Sequence, residues 1–368
     1  MRLFVLTMGV LLSRQMPLAA STVETPIQWH EIDSHDVEGQ GWTDVQSPFD
    51  RLPARAESLV RPQVWALARH SSGINACFTT DATAIHVRWT VTSDRIAMSH
   101  MPATGVSGVD LYVRYGDQWR FASTARPGKT LHNELLLISR AERRAKQYRL
   151  YFPLYNGVSE LAIGVDQGAS FSINNPRSDR PVVFYGTSIT QGGCASRPGM
   201  SFTAILGRRL NVPVLNLGFS GNGKTEPELA QLIAELQPSV VVLDPLGNLH
   251  PKNVSDRLPT FIQIIRERHP RVPILLNENV TYPTAAIDAD KRRRVEDSNR
   301  RLHDILHARM AAGDRWIAIV PTCDLTVDGG ESTVDGVHPT DLGMVRMADA
   351  LELSLRRALM RQDEELPN

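Results

Sequence analysis

The chain has 368 residues, of which 42% are hydrophobic and 22% charged, and 40 basic side chains balance 40 acidic ones. This length suits two domains, and the composition supports packed cores rather than disorder. A formal net charge of zero argues against nucleic acid or an anionic membrane as the partner, because either would normally leave a basic excess. We therefore expect a neutral or small substrate.

The N-terminus has the pattern of a secretory signal peptide. A charged start at Met1 and Arg2 precedes an apolar stretch over 3–12, and the segment 13–22 that follows ends in small residues. The stretch is too short to span a bilayer, and no later segment approaches about 20 apolar residues. The sequence therefore predicts a signal peptide over residues 1–21, a secreted or periplasmic protein, and no transmembrane helix. The alternative is a disordered leader on a protein that stays in the cytosol.

The cysteine and histidine pattern predicts neither a metal nor a cofactor. The three cysteines, Cys77, Cys194 and Cys323, are too few for a disulfide framework and form no Cys/His cluster with zinc spacing. His303 and His307 lie four residues apart in a predicted helix, but no HExxH pattern accompanies them. We expect both histidines to lie on the surface, and we expect no metal and no cofactor.

Residues 25–175 have the pattern of short β-strands. The stretch 84–92 alternates between apolar and polar residues, as a half-buried strand does. Its apolar face consists of Ile85, Val87, Trp89 and Val91. Further strand-like stretches, separated by turn residues, lie at 109–116, 147–155, 160–165 and 169–174. Many short strands with few helical stretches predict a β-sandwich or jelly roll.

From residue 181 the pattern changes to apolar runs that alternate with helical segments. The predicted strands lie at 181–186, 212–218, 239–244, 272–277 and 316–321. The predicted helices lie at 201–210, 226–236, 253–269, 289–311 and 342–359. Thr225 and Glu228 predict a capping box at the start of the second of these helices. Fully apolar strands that alternate with helices predict a parallel sheet covered on both faces.

Four polar stretches lie where this predicted sheet should open to solvent. They cover 186–190, 216–224, 243–251 and 334–343. Ligands of such sheets bind beyond the carboxyl ends of the strands, so we expect these stretches to converge at one edge. Each alone has an ordinary explanation. Ser188 could be a helix N-cap, the Gly-Asn-Gly at 221–223 a simple turn, and His338 a residue of a surface loop.

Taken together, the four stretches supply the parts that acyl transfer by a serine needs. A serine nucleophile needs a base for its proton, an acid that orients the base, and donors for the developing oxyanion. Asp335 lies three residues before His338, so one turn can present the carboxylate to one ring nitrogen and the other nitrogen to Ser188. Gly221 lets a backbone N–H approach the reacting centre, and Asn248 offers a side-chain amide.

The order and identity of these motifs resemble the SGNH (GDSL-like) hydrolase superfamily. The resemblance rests on GTSITQGG at 186–193, SGNG at 220–223 and DGVHP at 335–339, and GVDLY at 108–112 is similar to the motif of the esterase group with an N-terminal β domain. It implies an α/β fold. A β-sandwich (jelly-roll-like) domain at 25–175 would precede a five-stranded parallel, flavodoxin-like, three-layer SGNH hydrolase domain at 180–362.

Carried over to matching positions, the resemblance implies that Ser188 is the nucleophile, His338 the general base and Asp335 its orienting acid. The oxyanion donors would be the N–H of Ser188, the N–H of Gly221 and the amide of Asn248. The chain departs from the common GxND form of the third motif, since Leu249 follows Asn248. That change concerns the local turn more than the chemistry.

The candidate substrate contacts are Arg197 and Glu278. Arg197 lies in the short loop 192–199 beside Ser188, and its alternative is a solvated loop residue. Glu278 follows the fourth strand of the predicted sheet, where a more acidic strand end would be expected in close relatives.

The resemblance and the predicted export imply a carbohydrate esterase that removes O-acetyl groups. The short loop 192–199 leaves little room for a long acyl chain. Two alternatives stay open. One is a lipid or thioester acylhydrolase, whose activity would rise with acyl length. The other is a glycan-binding protein without catalysis.

Overall fold

The computed structural model describes residues 26–363 except 322 and 328. The predicted signal peptide at 1–21 therefore lies outside the described residues. Within the part of the chain that is described, no helix is both long enough and apolar enough to cross a bilayer.

The first half of the described chain folds into two antiparallel sheets. Its strands are β1 Ile27–Glu31, β2 Val37–Glu38, β3 Asn75–Thr80, β4 Ile85–Val91, β5 Val109–Tyr115, β6 Gln118–Ala125, β7 His132–Ile138, β8 Lys146–Tyr151, β9 Val158–Asp166 and β10 Phe171–Ile173. One sheet has the strand order β1-β9-β4-β7. The other has the order β10-β3-β8-β5-β6, and β2 pairs with β3. Apolar residues of both sheets form one core, so this half is a β-sandwich.

Strand β4 shows why the sequence pattern predicts this sandwich correctly. Its apolar face, named above, is at most 1% exposed, whereas the polar residues between are partly exposed. Because β4 lies between β9 and β7, its backbone groups are paired on both edges. The alternation of side chains then decides which face meets the core.

The second half of the described chain alternates strands and helices. Its strands are β11 Val182–Gly186, β12 Val214–Gly218, β13 Val240–Asp244, β14 Ile274–Asn277 and β15 Ile317–Val320. The helices of the chain are α1 Pro62–Ala68, α2 Ala103–Val106, α3 Ser188–Gln191, α4 Phe202–Leu210, α5 Pro227–Glu235, α6 Pro251–Arg268, α7 Ala289–Ala311 and α8 Asp341–Asp363. Short 3-10 turns lie at Ser34–Asp36, Ala54–Ser58, Pro198–Met200, Leu246–Asn248 and Pro283–Ala286.

The five strands of the second half form a parallel sheet in the order β12-β11-β13-β14-β15. Strand β11 lies between β12 and β13, so the strand order reverses at β11. Such a reversal opens a crevice at the carboxyl end of the strand. Gly186 at this end is level with Gly218 of β12 and Asp244 of β13. A Cβ on Gly186 would lie 2.1 Å from the Thr190 hydroxyl oxygen, so the position needs glycine. The sheet thus places the segment after β11 at the centre of the crevice.

The two halves share apolar packing. Trp42, Leu52 and Val64 belong to the same buried cluster as one face of the parallel sheet, although they precede residue 175. Helix α1 lies in this region, which the sequence pattern assigns to strands. Arg51 is buried and donates to the carbonyl oxygens of Asn216 and Gly218, each at 2.8 Å. The segment 42–68 therefore packs on the second half, and the predicted domain limits stay a prediction.

The predicted capping box at the start of α5 is wrong. The N-cap of α5 is Glu226, and no side chain caps this helix. Thr225 has a φ of +58°, outside the extended region in which N-cap residues lie. Its hydroxyl donates to the carbonyl of Lys224, and its N–H donates to the hydroxyl of Tyr185. The tertiary contact with Tyr185 displaces the local motif.

Candidate active site

Ser188 is the first residue of α3, in the tight turn that leads from β11 into this helix. Thr187 is the N-cap of α3, and its hydroxyl accepts the N–H of Ile189 at 3.2 Å. The Thr190 hydroxyl accepts the N–H of Thr187 at 3.2 Å and donates to Asp244 Oδ2 at 2.7 Å. These bonds fix the backbone on both sides of Ser188, so its hydroxyl leaves the sheet in a defined direction.

Asp244 anchors this turn from inside the protein. Burial raises the pKa of its carboxyl to about 7, although hydrogen bonds from Thr190 and Asn277 act in the opposite direction. The sequence analysis does not single out Asp244. The available signal is an acid that ends an otherwise apolar strand, at the level of the nucleophile turn.

His338 and Asp335 complete a hydrogen-bonded chain with Ser188. His338 Nε2 lies 2.9 Å from Ser188 Oγ, and His338 Nδ1 lies 2.7 Å from Asp335 Oδ2. Since the carboxylate accepts the proton on Nδ1, Nε2 carries the lone pair that faces the hydroxyl. The predicted nucleophile, base and acid are therefore brought together, although 150 positions separate Ser188 from His338.

The Asp335 carboxylate is held by its own turn. Burial alone would raise its pKa, but hydrogen bonds from the backbone and ring of His338 and from the N–H of Val337 lower the pKa to about 2. Gly336 has a φ of +80°, which lets the chain reverse between the acid and the histidine. The acid is thus ionised at any pH near neutral.

Two backbone N–H groups near the Ser188 hydroxyl are available to a substrate oxygen. The N–H groups of Ser188 and Gly221 have no acceptor among the residues that the structure describes. Gly221 has a φ of +65° and open space around its Cα, so a substrate oxygen can approach its N–H. The amide nitrogen of Asn248 lies 3.3 Å from the carbonyl oxygen of Gly223 and 3.4 Å from that of Phe219. All three predicted oxyanion donors therefore belong to this edge of the sheet.

Gln191 connects the loop that carries Ser220 and Gly221 to the first half of the chain. Its Oε1 accepts the N–H of Ser220 at 3.0 Å, and its Nε2 lies 3.1 Å from the Leu154 carbonyl and 3.1 Å from His70 Nδ1. Burial, followed by the charge of Arg51, lowers the pKa of His70 to about 3, so this ring stays neutral. Tyr155 adds a hydrogen bond to the carbonyl of Ser188 at 3.1 Å. The sequence analysis misses these supports because they come from distant strands and loops.

Arg197 links the GVDLY strand to the loop after Ser188. Its guanidinium donates to Asp110 Oδ2 and to the Tyr112 hydroxyl, each at 2.7 Å, and lies 3.8 Å from the centre of the Phe121 ring. Asp110 is fully buried and also accepts the N–H of Gly199 at 3.0 Å. Arg197 therefore has a partner within the protein, and its contact with a substrate stays a prediction.

Glu278 is directed toward α7. Its Oε1 lies 2.7 Å from His303 Nε2, and the His303 side chain is 45% exposed. The surface position predicted for His303 is confirmed. A substrate contact for Glu278 stays a prediction.

One set of donor atoms near the nucleophile could hold a metal ion. A nitrogen or sulfur atom from each of His100, Cys194 and His338 lies within 4.8 Å of the other two. The rings of His100 and His338 have centroids 5.7 Å apart. The predicted absence of a metal was based on sequence spacing alone, which does not reveal this cluster.

Two family comparisons cover almost all of the described chain. Residues 179–356 match the GDSL-like Lipase/Acylhydrolase family, and residues 27–171 match the family described as the N-terminus of Esterase SGNH hydro-type. Among curated proteins there is no significant sequence match. The chain belongs to the SGNH (GDSL-like) hydrolase superfamily, in the esterase group with the GxDLY N-terminal region. The predicted family and the predicted fold class are confirmed.

Solved structures agree with this assignment. A crystal structure described as a GDSL-like lipase from Bacteroides ovatus is 29% identical, covers 91% of this chain and 98% of its own, and has a TM-score of 0.85. A salicylyl-acyltransferase from a tetracycline biosynthetic pathway is 20% identical over 90% and 98%, with a TM-score of 0.72. A family two carbohydrate esterase from Clostridium thermocellum, in complex with cellohexaose, is 16% identical over 78% and 93%, with a TM-score of 0.56. The last two share the fold.

Proposed function

We propose that this protein is a serine esterase that removes short acyl groups, above all O-acetyl groups, from carbohydrate. The observation that carries the proposal is the contact of 2.9 Å between Ser188 Oγ and His338 Nε2, with Asp335 hydrogen-bonded behind the ring. A neutral hydroxyl becomes a nucleophile when an oriented base takes its proton. The family supplies the reaction class, which is ester hydrolysis.

The cycle has two halves. His338 takes the Ser188 proton as Oγ attacks the ester carbonyl, and the oxyanion lies among the N–H groups of Ser188 and Gly221 and the amide of Asn248. The C–O bond to the sugar breaks, and His338 returns the proton to the departing alcohol. Water then loses a proton to His338 and attacks the acyl-enzyme. The bond between the acyl carbon and Ser188 Oγ breaks, His338 returns the proton to Oγ, and the carboxylic acid leaves.

The loop 192–199 favours a small acyl group. Most of its residues are buried, and they pack beside Ser188 and His338. A Cβ on Gly193 would lie 2.9 Å from the Tyr155 hydroxyl and 3.3 Å from His338 Cδ2, so the loop approaches the base closely. A carbohydrate leaving group agrees with the shared fold of family two carbohydrate esterases. Export, predicted from residues 1–21, would bring the enzyme to such polymers.

A lipid or thioester acylhydrolase is the second candidate. The observation in its favour is the 29% identity to a protein described as a GDSL-like lipase, over nearly the full length of both chains. The two candidates differ in the acyl pocket. A lipase needs an apolar groove for the chain, whereas an acetylesterase needs only a small space beside Ser188.

An acyl-length series distinguishes these candidates. Hydrolysis of 4-nitrophenyl esters from acetate to octanoate is measured beside acetate release from acetylated xylan and xyloglucan oligosaccharides, with Ser188→Ala as the control. We expect kcat/KM to be highest for acetate and acetate to be released from the oligosaccharides. Activity that rises toward octanoate with no acetate release would favour the lipase. No hydrolysis of any ester would favour a glycan-binding protein without catalysis.

A further inference from the structure

Two imidazoles and one thiol from distant parts of the chain converge beside the Ser188 hydroxyl. His100 precedes α2 in the first half, Cys194 lies in the loop after α3, and His338 carries the ring that faces Ser188. Tetrahedral zinc, with Zn–N about 2.0 Å and Zn–S about 2.3 Å, needs donor atoms about 3.3–3.6 Å apart. The three donor atoms lie within 4.8 Å of one another, so ligation of one ion requires side-chain rotations that bring them closer together.

His338 is already oriented as a metal ligand would be. Asp335 accepts the proton on Nδ1 at 2.7 Å, which leaves the lone pair of Nε2 facing the Ser188 hydroxyl at 2.9 Å. Carboxylate–histidine pairs of this kind fix the ring and raise the basicity of histidines that bind zinc. A nitrogen prepared to take a proton from Ser188 is equally prepared to bind a metal cation.

His100 and Cys194 supply the other two donors. His100 is exposed, its Nδ1 lies 3.4 Å from the Ser99 hydroxyl, and its ring centroid lies 5.7 Å from that of His338. Cys194 is buried and free of any disulfide. Its residue has a φ of +68°, a conformation that is uncommon for a side chain other than glycine. The backbone thus holds this thiol beside the catalytic machinery.

We propose that His100, Cys194 and His338 bind one Zn²⁺ ion and that this ion reversibly inhibits the esterase. Two imidazoles and one thiolate are donors that zinc prefers. On binding, the Cys194 S–H proton passes to solvent, a Zn–S bond forms, and water fills the fourth position. The ion occupies the Nε2 lone pair that would otherwise take the Ser188 proton, so zinc binding and catalysis exclude each other.

Binding is tested without substrate, so its result does not depend on the proposed function. Full-length protein freed of metal is titrated with ZnCl₂ by calorimetry, and with CoCl₂ by absorbance, in which thiolate ligation gives an intense near-ultraviolet band. We expect one ion per chain in this site and a cobalt–thiolate band. Loss of a hydrogen-bond partner of a metal ligand weakens metal binding by about 10- to 100-fold. His100→Ala removes a ligand itself, so it should weaken Zn²⁺ binding by at least this much.

Matched variants give this experiment its controls. Cys194→Ser should abolish the cobalt–thiolate band, and His86→Ala, which alters a histidine on the β-sandwich, should change neither readout. His100 is exposed and Cys194→Ser is conservative, and circular dichroism verifies that both variants fold. The proposal is overturned if wild-type protein shows no thiolate band, or if both variants bind Zn²⁺ as tightly as wild type.

Inhibition is measured separately on an active ester. Micromolar ZnCl₂ should suppress hydrolysis, EDTA should restore it, and His100→Ala should need at least about tenfold more Zn²⁺ for the same fractional inhibition. Zinc binding that leaves hydrolysis unchanged contradicts the inhibitory role. Absence of zinc binding in an enzyme that hydrolyses esters overturns this inference alone, whereas zinc binding without any hydrolysis contradicts the proposed function.

Discussion

Asp335 holds His338 twice, through the ring and through the backbone. Oδ2 lies 2.7 Å from His338 Nδ1, and Oδ1 accepts the His338 N–H at 2.8 Å. A four-residue turn thus fixes both the position and the tautomer of the His338 ring. In the proposed mechanism Asp335 orients the histidine and stabilises its protonated form, and it takes no proton itself.

Loss of this orientation should reduce the rate without removing the nucleophile. We expect Asp335→Ala to lower kcat by about 10⁴-fold, less than the loss expected for Ser188→Ala, by analogy with other serine hydrolases. KM should change little, because the acid does not contact the substrate. Steady-state kinetics on 4-nitrophenyl acetate measures both constants. A loss equal to that of Ser188→Ala would give Asp335 a larger role than orientation.

The oxyanion donors should act on the transition state. Asn248→Ala should lower kcat by about 10²–10³-fold, because one hydrogen bond to the developing negative charge is lost. The substrate carbonyl binds weakly to the same donors, so KM should change much less. Thermal unfolding serves as the control, since the Asn248 amide also approaches the carbonyls of Phe219 and Gly223. An unchanged kcat in a folded variant would remove Asn248 from the oxyanion site.

The buried acid Asp244 should make stability fall as the pH rises. Its pKa is about 7 in the folded protein and 3.8 as the ordinary value. Because the pKa of Asp244 is raised in the folded protein, its contribution to the free energy of unfolding is fully present below about pH 4. This contribution is lost as the pH rises through about 7. Asp244→Asn resembles the protonated acid and does not titrate. The melting temperature of the variant minus that of wild type should therefore increase between pH 5 and pH 8.

A surface variant is the control for this pH effect. Asp117 is fully exposed, and Asp117→Asn should follow wild type at every pH. Parallel curves of melting temperature against pH for wild type and Asp244→Asn would mean that the carboxyl of Asp244 does not titrate between pH 5 and pH 8.

The GVDLY motif should contribute stability through its acid. Asp110→Ala leaves the guanidinium of Arg197, whose side chain is 19% exposed, without its carboxylate partner. Removal of one partner of a buried pair costs about 3–5 kcal/mol of unfolding free energy. Urea unfolding measures this loss, with Asp117→Asn as the exposed control. A loss no larger than that of the control would contradict a structural role for the pair.

The sequence predicts the parts of this protein that depend on local pattern or on motif. The alternation in β4 follows from burial of one face, and the convergence of Ser188 and His338 follows from the parallel strands that carry their loops. What the sequence cannot predict depends on contacts between distant segments. Gln191 contacts His70 and Leu154 only because the two halves pack together. The His100 ring lies beside the His338 ring for the same reason. Thr225 loses its predicted capping role to a tertiary contact with Tyr185.

The hydroxyl of Ser188 is the proposed nucleophile, and one comparison tests this role directly. Purified wild type and Ser188→Ala are compared for hydrolysis of 4-nitrophenyl acetate, with circular dichroism to show that both fold. We predict that the variant loses about 10⁶-fold in kcat, by analogy with other serine hydrolases. A folded Ser188→Ala protein that hydrolyses the ester at the wild-type rate would contradict the proposed nucleophile and, with it, the esterase mechanism.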